Sequence, residues 1–369
     1  MQKPVEIEVF GVESEGSTNF VQRMFIDSFA SLTVVRNYYL HDTFSMKVTI
    51  TDESVRYLVD DAVLMINGEF FYIDQVVADK VSDGTMIVSG ESLIGKAGFR
   101  IVNKTYSTAS QAPEAIVYNH LMQQVVNPST VRRKIGYLTT SAPGSLTGET
   151  INYQASYANV LAEIEDLTET YDFGFKEVAS SYSPLTQTIQ IYKGNDVSNY
   201  VEFNTDFENL LDEGYESSNY DEMNYAYIFG EGEGSARKNT TVDQGNKSDL
   251  YLKELYVDAR DLQQTSEEVT YTDMQYIKAL KDRGTSKLNE QEAVLTISGD
   301  VNLDNPLFEY GVDYDVGDRV RITSKRFGVT KTVVLTSMTE MWDDSHHTLT
   351  PTWGKESPTM LDIIKRGAK

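Results

Sequence analysis

The chain has 369 residues, a formal net charge of −24 and no cysteine. Its length predicts about two to four domains. The absence of cysteine excludes disulfide bonds, thiolate metal sites and a thiol nucleophile. The negative charge disfavours proteins that grip nucleic acid, because these need a basic surface that displaces counterions. Two interpretations of the charge stay open: a solvated acidic surface, and a surface past which a polyanion slides without adhering.

The hydropathy of the chain predicts a soluble protein without a membrane anchor. No apolar run approaches the roughly 18 to 20 residues that a membrane-spanning helix needs. The first residues, MQKPVEIEVFG, lack the apolar core of a signal peptide, so we expect synthesis in the cytoplasm. Tyrosine (23) outnumbers phenylalanine (15), which suits strands that are buried on one side and wet or partner-facing on the other.

Residues 1–103 are predicted to form a first antiparallel β-barrel. Phe44, Met46, Val48 and Ile50 alternate with polar residues, as in a strand with one buried face. Asn-Gly and Asp-Gly pairs reach the positive φ values of tight hairpin turns at low cost. They occur here at 67–68 and 83–84. The other strands are predicted at 5–11, 20–26, 62–67, 70–79 and 85–90.

Residues 104–200 are predicted to form an α+β domain. Pro113 suits the first turn of a helix that stops at Asn127-Pro128, and Ser156 is predicted to cap a second helix. Strands are expected at 173–178 and 186–192. The one basic cluster of note is interpreted as a solvated loop; it consists of Arg132, Arg133 and Lys134.

The C-terminal half is predicted to hold a second β-barrel, built from residues 201–235 and 294–356. Between Lys193 and Arg237 the sequence has eleven acidic residues and no basic one. Within this stretch Tyr225, Tyr227 and Phe229 alternate with small or aliphatic residues, which predicts a strand with an aromatic face. An insertion at 236–293 is expected to contribute a strand at 250–257 and a helix from Asp273 to Ala293. Residues 357–369 are expected to form a tail.

The order of turns and strands in 63–92 recurs in 316–357. We expect Gly317-Asp318 to form the tight turn that starts the second set. The predicted fold class is therefore mainly β with α+β: two related antiparallel β-barrels joined by α+β and helical inserted domains.

Two groups of residues resemble metal sites but fit poorly. His346 and His347 lie beside Asp343 and Asp344, yet adjacent strand residues point to opposite faces, so a polar hairpin loop is favoured. Asp300, Asn302 and Asp304 match the first positions of a calcium loop. The positions that require glycine and glutamate are Asn305 and Gly311, so turn chemistry is favoured and a weak calcium site stays open.

No catalytic or cofactor-binding residue is predicted. The loop Phe229–Gly234 (FGEGEG) resembles a phosphate loop, but Glu231 and Glu233 would repel phosphate. The loop Ser141–Ser145 (SAPGS) lacks the glycines of a nucleophile elbow. We therefore expect a protein that is not an enzyme and has no metal or cofactor.

The order of elements resembles the hub proteins at the distal end of phage tails, a family that includes tail-associated lysins and baseplate hubs. The segments that carry this resemblance are VGDRVRI (316–322), LTSMTE (335–340) and LTPTWG (349–354). The resemblance implies two β-barrels per chain and a homotrimer whose six barrels continue a six-fold tail tube. This sequence ends at Lys369, without the C-terminal hydrolase or fibre of longer members, which argues against wall-degrading activity.

The resemblance also implies a location and partners. We expect a virion protein at the distal end of the tail. Its expected partners are the distal tail protein, the tape measure protein and receptor-binding or other baseplate proteins. It would open for genome ejection, with DNA passing through without specific binding. Two alternatives stay open: a carbohydrate-binding adhesion module, since tyrosine-rich barrels often bind sugars, and a hydrolase with an unrecognised acidic pair.

Overall fold

The computed structural model describes residues 5–14, 19–78, 81–182, 185–220, 222–265, 270–291, 294–303, 306–343 and 346–354. Within these ranges the fold is mainly β, which confirms the predicted class at that level. No helix there combines the length and apolar character needed to cross a bilayer. The predicted tail at 357–369 and the residues Asp304, Asn305 and Asp344 lie outside the described residues.

The N-terminal unit, residues 5–99, consists of antiparallel strands in the order β3-β4-β7-β6-β5-β1-β2. The strands predicted in this region are confirmed to within a few residues, whereas β3 and α1 were not predicted. The turn before β6 has positive φ at both Asn67 and Gly68, as the hairpin prediction requires. The elements are β1 (Ile7–Val12), β2 (Phe20–Phe25), β3 (Ser31–Asn37), β4 (Thr43–Thr49), α1 (Asp52–Tyr57), β5 (Val63–Ile66), β6 (Glu69–Val77) and β7 (Thr85–Ser92).

The middle unit, residues 100–192, packs two helices against two small sheets. The elements are β8 (Tyr106–Gln111), α2 (Pro113–His120), β9 (Leu138–Thr140), β10 (Ile151–Ala155), α3 (Val160–Tyr171), β11 (Gly174–Tyr182) and β12 (Leu185–Tyr192). Strand β12 lies between β11 and β9, and β8 pairs with β10. Helix α2 continues as a π-helical turn, Leu121–Val126, so the predicted helix is confirmed over its whole length.

One cap was predicted wrongly. The N-cap of α3 is Asn159, whose side chain accepts a hydrogen bond from the amide of Ala162. Ser156 instead donates its hydroxyl to Thr105. The chain turns at Tyr157, where φ is +55°, so the helix cannot begin at Ser156.

The remaining elements form the C-terminal unit and an insertion. The C-terminal unit contains β13 (Glu202–Asn204), β14 (Leu210–Ser218), β18 (Val294–Val301), β19 (Arg319–Ser324), β20 (Val329–Asp343) and β21 (His347–Trp353). The insertion contains β15 (Tyr225–Phe229), β16 (Asn239–Asp243), β17 (Glu254–Asp258) and α4 (Asp273–Asn289).

Strand β15, which we assigned to the second barrel, pairs instead with β16 and β17 in a separate three-stranded sheet. Helix α4 covers one face of this sheet, where Ala226, Ile228 and Val257 are buried. Local alternation revealed the strand but not its partners, since pairing depends on residues far along the chain.

Strand β20 joins the two terminal units into one sheet. It has 15 residues; its first part pairs with β19, and its later part pairs with β21 and β3. The resulting path is β14-β18-β21-β20-β3-β4-β7-β6-β5-β1-β2. Among the described residues, pairing closes neither unit into a barrel.

Separate apolar cores support the two ends of this sheet. The N-terminal core contains Phe44 and Phe71 together with Trp342, which is contributed by β20. The C-terminal core contains Phe203 and Trp353 together with Tyr38, which follows β3. Each unit therefore buries an aromatic side chain supplied by the other, so separating them would expose large apolar surfaces from both.

Candidate functional site

The three units meet at residues 36–42, which we call the junction segment. It runs from the end of β3 to the start of β4 and includes Arg36, Asn37 and Asp42. No element was predicted there from the sequence. The signal for β3 was the spacing of Leu32 and Val34 on either side of Thr33, and both apolar side chains are fully buried.

Arg36 links the two terminal units through two carboxylates. Its Nε and Nη2 donate to Glu69 of β6 at 2.8 and 2.7 Å, and its Nη1 donates to Glu340 of β20 at 2.7 Å. Burial opposes the charge on Arg36, but Glu69 and Glu340 raise the pKa of the guanidinium above its ordinary value. A bidentate pair of this kind fixes orientation as well as contributing energy.

The two histidines considered as metal ligands take separate partners. His347 Nε2 lies 2.8 Å from Glu340, and its ring stacks on Trp342 with centroids 5.1 Å apart. The amide of His346 donates to Asp343 at 2.7 Å, as in a polar turn. Among the described residues, no group of three or more His, Cys, Asp or Glu is arranged to hold a metal ion.

A second set of ionisable groups joins the junction segment to the middle unit. His41 Nδ1 lies 2.7 Å from Glu165 of α3, and its Nε2 lies 3.5 Å from Glu91 of β7. Burial disfavours the charged imidazole, but the two carboxylates outweigh it and raise the pKa of His41. The charged form of His41 therefore favours contact between the two units.

Asp42 and Glu177 line a cavity of about 260 Å³ at the same place. Desolvation raises the pKa of Asp42 to about 7, and Glu69 adds to the effect. Desolvation likewise raises the pKa of Glu177 to about 8, and Asp42 adds to it. At a given pH, each of these two carboxyl groups is therefore protonated to a greater extent than an exposed carboxyl group.

Asp172, which ends α3 in a left-handed conformation, joins the middle unit to the C-terminal unit. It accepts a hydrogen bond from the hydroxyl of Tyr39 at 2.9 Å and one from Arg319 of β19. The junction segment thus holds polar contacts with all three units. These contacts maintain the relative orientation of the units and supply no nucleophile and base arranged for catalysis.

The main path of the long sheet ends at two open edges, and a branch of the sheet ends at β13, which pairs only with β19 among the described residues. Within the described residues β2 pairs only with β1, and β14 pairs only with β18. Val21 and Phe25 on β2 are 40% and 57% exposed. Edges of this kind present backbone groups that can pair with another strand.

The second edge is acidic. Asp212 is exposed within β14, at a bulge that disturbs pairing with β18, and Glu208 is exposed two residues before the strand. Both residues have positive φ. Asp300, from the calcium-like segment, accepts a hydrogen bond from Thr350, and Asn302 donates to the carbonyl of Glu208 at 2.7 Å. These contacts are those of turns and strand ends.

The remaining sequence candidates are dispersed. The loop after β15 is held by the hydroxyl of Tyr276, which accepts from the amide of Glu231, and by Lys238, whose amide donates to the carbonyl of Glu231. In the basic cluster, Arg133 donates to the carbonyl of Ile101. Neither arrangement leaves a set of backbone amides converging on an anion.

The fold is that of phage and prophage tail proteins. A prophage tail protein, gp18, from Listeria monocytogenes EGD-e superposes with a TM-score of 0.57 and 11% identity, covering 98% of each chain. A tail protein from Neisseria meningitidis MC58 gives 0.54 and 12% identity, covering 96% of this chain and 97% of that one. The 43 kDa tail protein of prophage MuSo2 from Shewanella oneidensis gives 0.51 and 11%, covering 94% and 97%.

Residues 12–355 match the model of the family described as Siphovirus ReqiPepy6 Gp37-like protein. Because the match spans most of the sequence, the chain belongs to this family. No curated protein matches the sequence. The resemblance to phage tail proteins is thereby confirmed, while the distal hub position stays a prediction.

Proposed function

We propose that the protein is a structural hub of a phage or prophage tail tip, a homotrimer that extends or closes the tail tube. The observation that carries this proposal is the single sheet that joins the N-terminal and C-terminal units through β3 and β20. It has one open edge at β2 and another at β14. Two different edges on one subunit suit head-to-tail pairing, which closes into a ring when the rotation allows it.

In this arrangement each chain contributes two related β-units, so that three chains match a six-fold tube. The middle unit and the insertion lie outside the ring. The domain boundaries predicted from the sequence are kept approximately, with the first two units ending near residues 99 and 192, and we propose a start of the insertion near residue 219. The fixed junction around Arg36 and Asp172 supports this role, because a hub must hold its units in one orientation.

The test is the mass of the purified full-length chain in light scattering. A trimer should have three times the mass of the 41.5 kDa chain. Replacing Val21 and Phe25 by Asp should yield monomers, whereas Val131→Asp, at an 81% exposed loop position, should leave the trimer intact. A wild-type monomer at all concentrations would contradict the proposal.

The hub would anchor the distal tail protein, the tape measure protein and receptor-binding or other baseplate proteins, and open for genome ejection. Labelling the protein in purified particles and imaging them should place the label at the distal end of the tail. A structural role also predicts no turnover of peptidoglycan or other glycans. Release of soluble fragments from either substrate would favour the hydrolase alternative.

A further inference from the structure

The insertion carries an aromatic face that the hub function does not use. Tyr225, Tyr227 and Phe229 of β15 and Tyr256 of β17 project from the side of the sheet opposite α4, since the intervening residues are buried under that helix. Tyr227 is 40% exposed and Tyr256 is 59% exposed. We refer to these four residues as the aromatic face.

The rings form two contacting pairs. The centroids of Tyr225 and Tyr227 are 5.0 Å apart, and those of Phe229 and Tyr256 are 5.6 Å apart. Tyr227 and Tyr256 are register partners on neighbouring parallel strands, so both pairs belong to one surface. The ring planes are tilted by 56° within the first pair and by 34° within the second, so the four rings form an uneven platform.

Polar side chains hold the rings in place. The hydroxyl of Tyr227 donates to Glu254 at 2.9 Å. Arg237 donates to the hydroxyl of Tyr256 at 3.2 Å and to Asp258 at 2.7 Å, and its guanidinium lies 5.3 Å from the ring centroid of Phe229. Rings that are ordered before binding lose little conformational freedom when a ligand stacks on them.

We propose that the aromatic face binds an uncharged glycan built of pyranose rings. The C–H groups on one side of a pyranose ring carry partial positive charge and pack against the negative face of an aromatic ring. Its hydroxyl groups are both donors and acceptors, which matches the carboxylates of Glu254 and Asp258 and the guanidinium of Arg237 around the platform.

Charge on the same surface argues against the other ligands that stack on tyrosine. Nucleic acid bases would bring phosphates close to Glu254 and Asp258 of β17, and Asp243, the register partner of Tyr225 on β16, is exposed on the other side of β15. The nearby Arg237 and Arg260 are both already paired with Asp258. An anionic polysaccharide meets the same repulsion, so an uncharged chain is the ligand that the surface accommodates.

The experiment is native electrophoresis of the full-length chain through gels that contain dextran, mannan or mixed-linkage β-glucan. At least one of these neutral polysaccharides should retard the wild type. The double variant Tyr227→Ala/Tyr256→Ala should bind it more weakly by roughly tenfold or more. Tyr227→Phe, which keeps the ring, should retain most of the retardation. Tyr227 and Tyr256 both lie outside the apolar core under α4, so the thermal unfolding midpoint should change little.

Tyr251→Ala provides a matched control, because Tyr251 is 74% exposed in the insertion but lies outside the aromatic face. Its mobility should equal that of the wild type in every gel. Equal mobility of the wild type and the double variant in all three neutral gels would overturn the proposal. Two further gels contain heparin or single-stranded DNA. Retardation of the wild type in either of these gels, but in none of the neutral ones, would overturn the proposal as well. Either result leaves the trimeric hub, which is tested by mass, unaffected.

Discussion

Gly317 packs directly against Tyr38. A Cβ atom placed on Gly317 would lie 2.4 Å from Cε2 of the tyrosine ring, and the backbone there has a φ of +97°. The contact ties the turn before β19 to the end of β3, and so ties the two terminal units together. The predicted turn at Gly317-Asp318 is confirmed, but its contact with Tyr38 was not foreseen.

Gly317→Ala is therefore expected to lower the free energy of unfolding by about 2 kcal/mol or more, since backbone strain and crowding act together. Gly84 is the matched control. It has a φ of +68° and nothing within 4 Å of the added atom. Gly84→Ala should cost only about 1 kcal/mol, from strain alone. Urea unfolding measures both variants, and equal losses would contradict the packing argument.

Removing Arg36 should destabilise the protein strongly. The side chains of Arg36 and Glu340 are each only 15% exposed, so Arg36→Ala leaves a poorly solvated carboxylate whose remaining side-chain partner is His347. We expect a loss of about 3 kcal/mol or more in the free energy of unfolding. Adding Glu340→Gln should recover part of this loss, because it removes the uncompensated charge.

The control for Arg36 is an exposed ion pair. Lys325 and Asp206 pair at the surface, with side chains 68% and 47% exposed. Lys325→Ala should change the free energy of unfolding by about 0.5 kcal/mol or less. If Arg36→Ala were as mild as this control, the ion pairs at the junction would have little part in joining the units.

The junction also predicts an unusual dependence of stability on pH. In the folded protein the pKa of Asp42 rises from 3.8 to about 7, and that of Glu177 rises from 4.5 to about 8. At pH values between the unfolded and the folded pKa of each group, the folded state binds more protons than the unfolded state. The free energy of unfolding should therefore fall as pH rises from about 4 to 8. The stabilisation is fully present at the acidic end of this window.

Asp42→Asn isolates one of these two groups. The amide can still accept the hydrogen bond that the backbone of Asn37 donates at 2.7 Å, but it cannot ionise. The free energy of unfolding of Asp42→Asn, relative to that of the wild type, should therefore increase with pH, most steeply below pH 7. Asp60→Asn, at an exposed position, serves as the control. Parallel stability curves for wild type and Asp42→Asn would refute a desolvated Asp42.

Much of the local structure could be predicted because it depends on neighbours in sequence. The Asn67-Gly68 pair predicted the hairpin, Pro113 predicted the start of α2, and the alternation of residues predicted β15. The junction could not be predicted in this way. Arg36 and Glu340 are 304 positions apart, and their contact depends on the pairing of β3 with β20. Neither strand's own pattern specifies that partner.

The last prediction concerns the acidic edge at β14. Glu208 is exposed two residues before the strand, Asp212 is exposed within it, and Glu213 follows Asp212. If the backbone of β14 pairs with the next subunit while these three side chains face the opening of a trimeric hub, changing all three residues to Lys places a ring of cations around the path of the DNA. These cations would bind phosphates and release counterions, so genome ejection should slow or stall while particles still assemble.

The matched control changes three exposed carboxylates away from that edge, Glu53, Asp60 and Glu149, to Lys. It alters the net charge equally, so it separates the position of the charges from their number. The measurement is the rate of DNA release from purified particles triggered in solution, with particle yield recorded alongside. Normal ejection by the edge variant would remove this segment from the conduit. It would leave the hub proposal standing, because that proposal depends on trimerisation and on the sheet shared by the two terminal units.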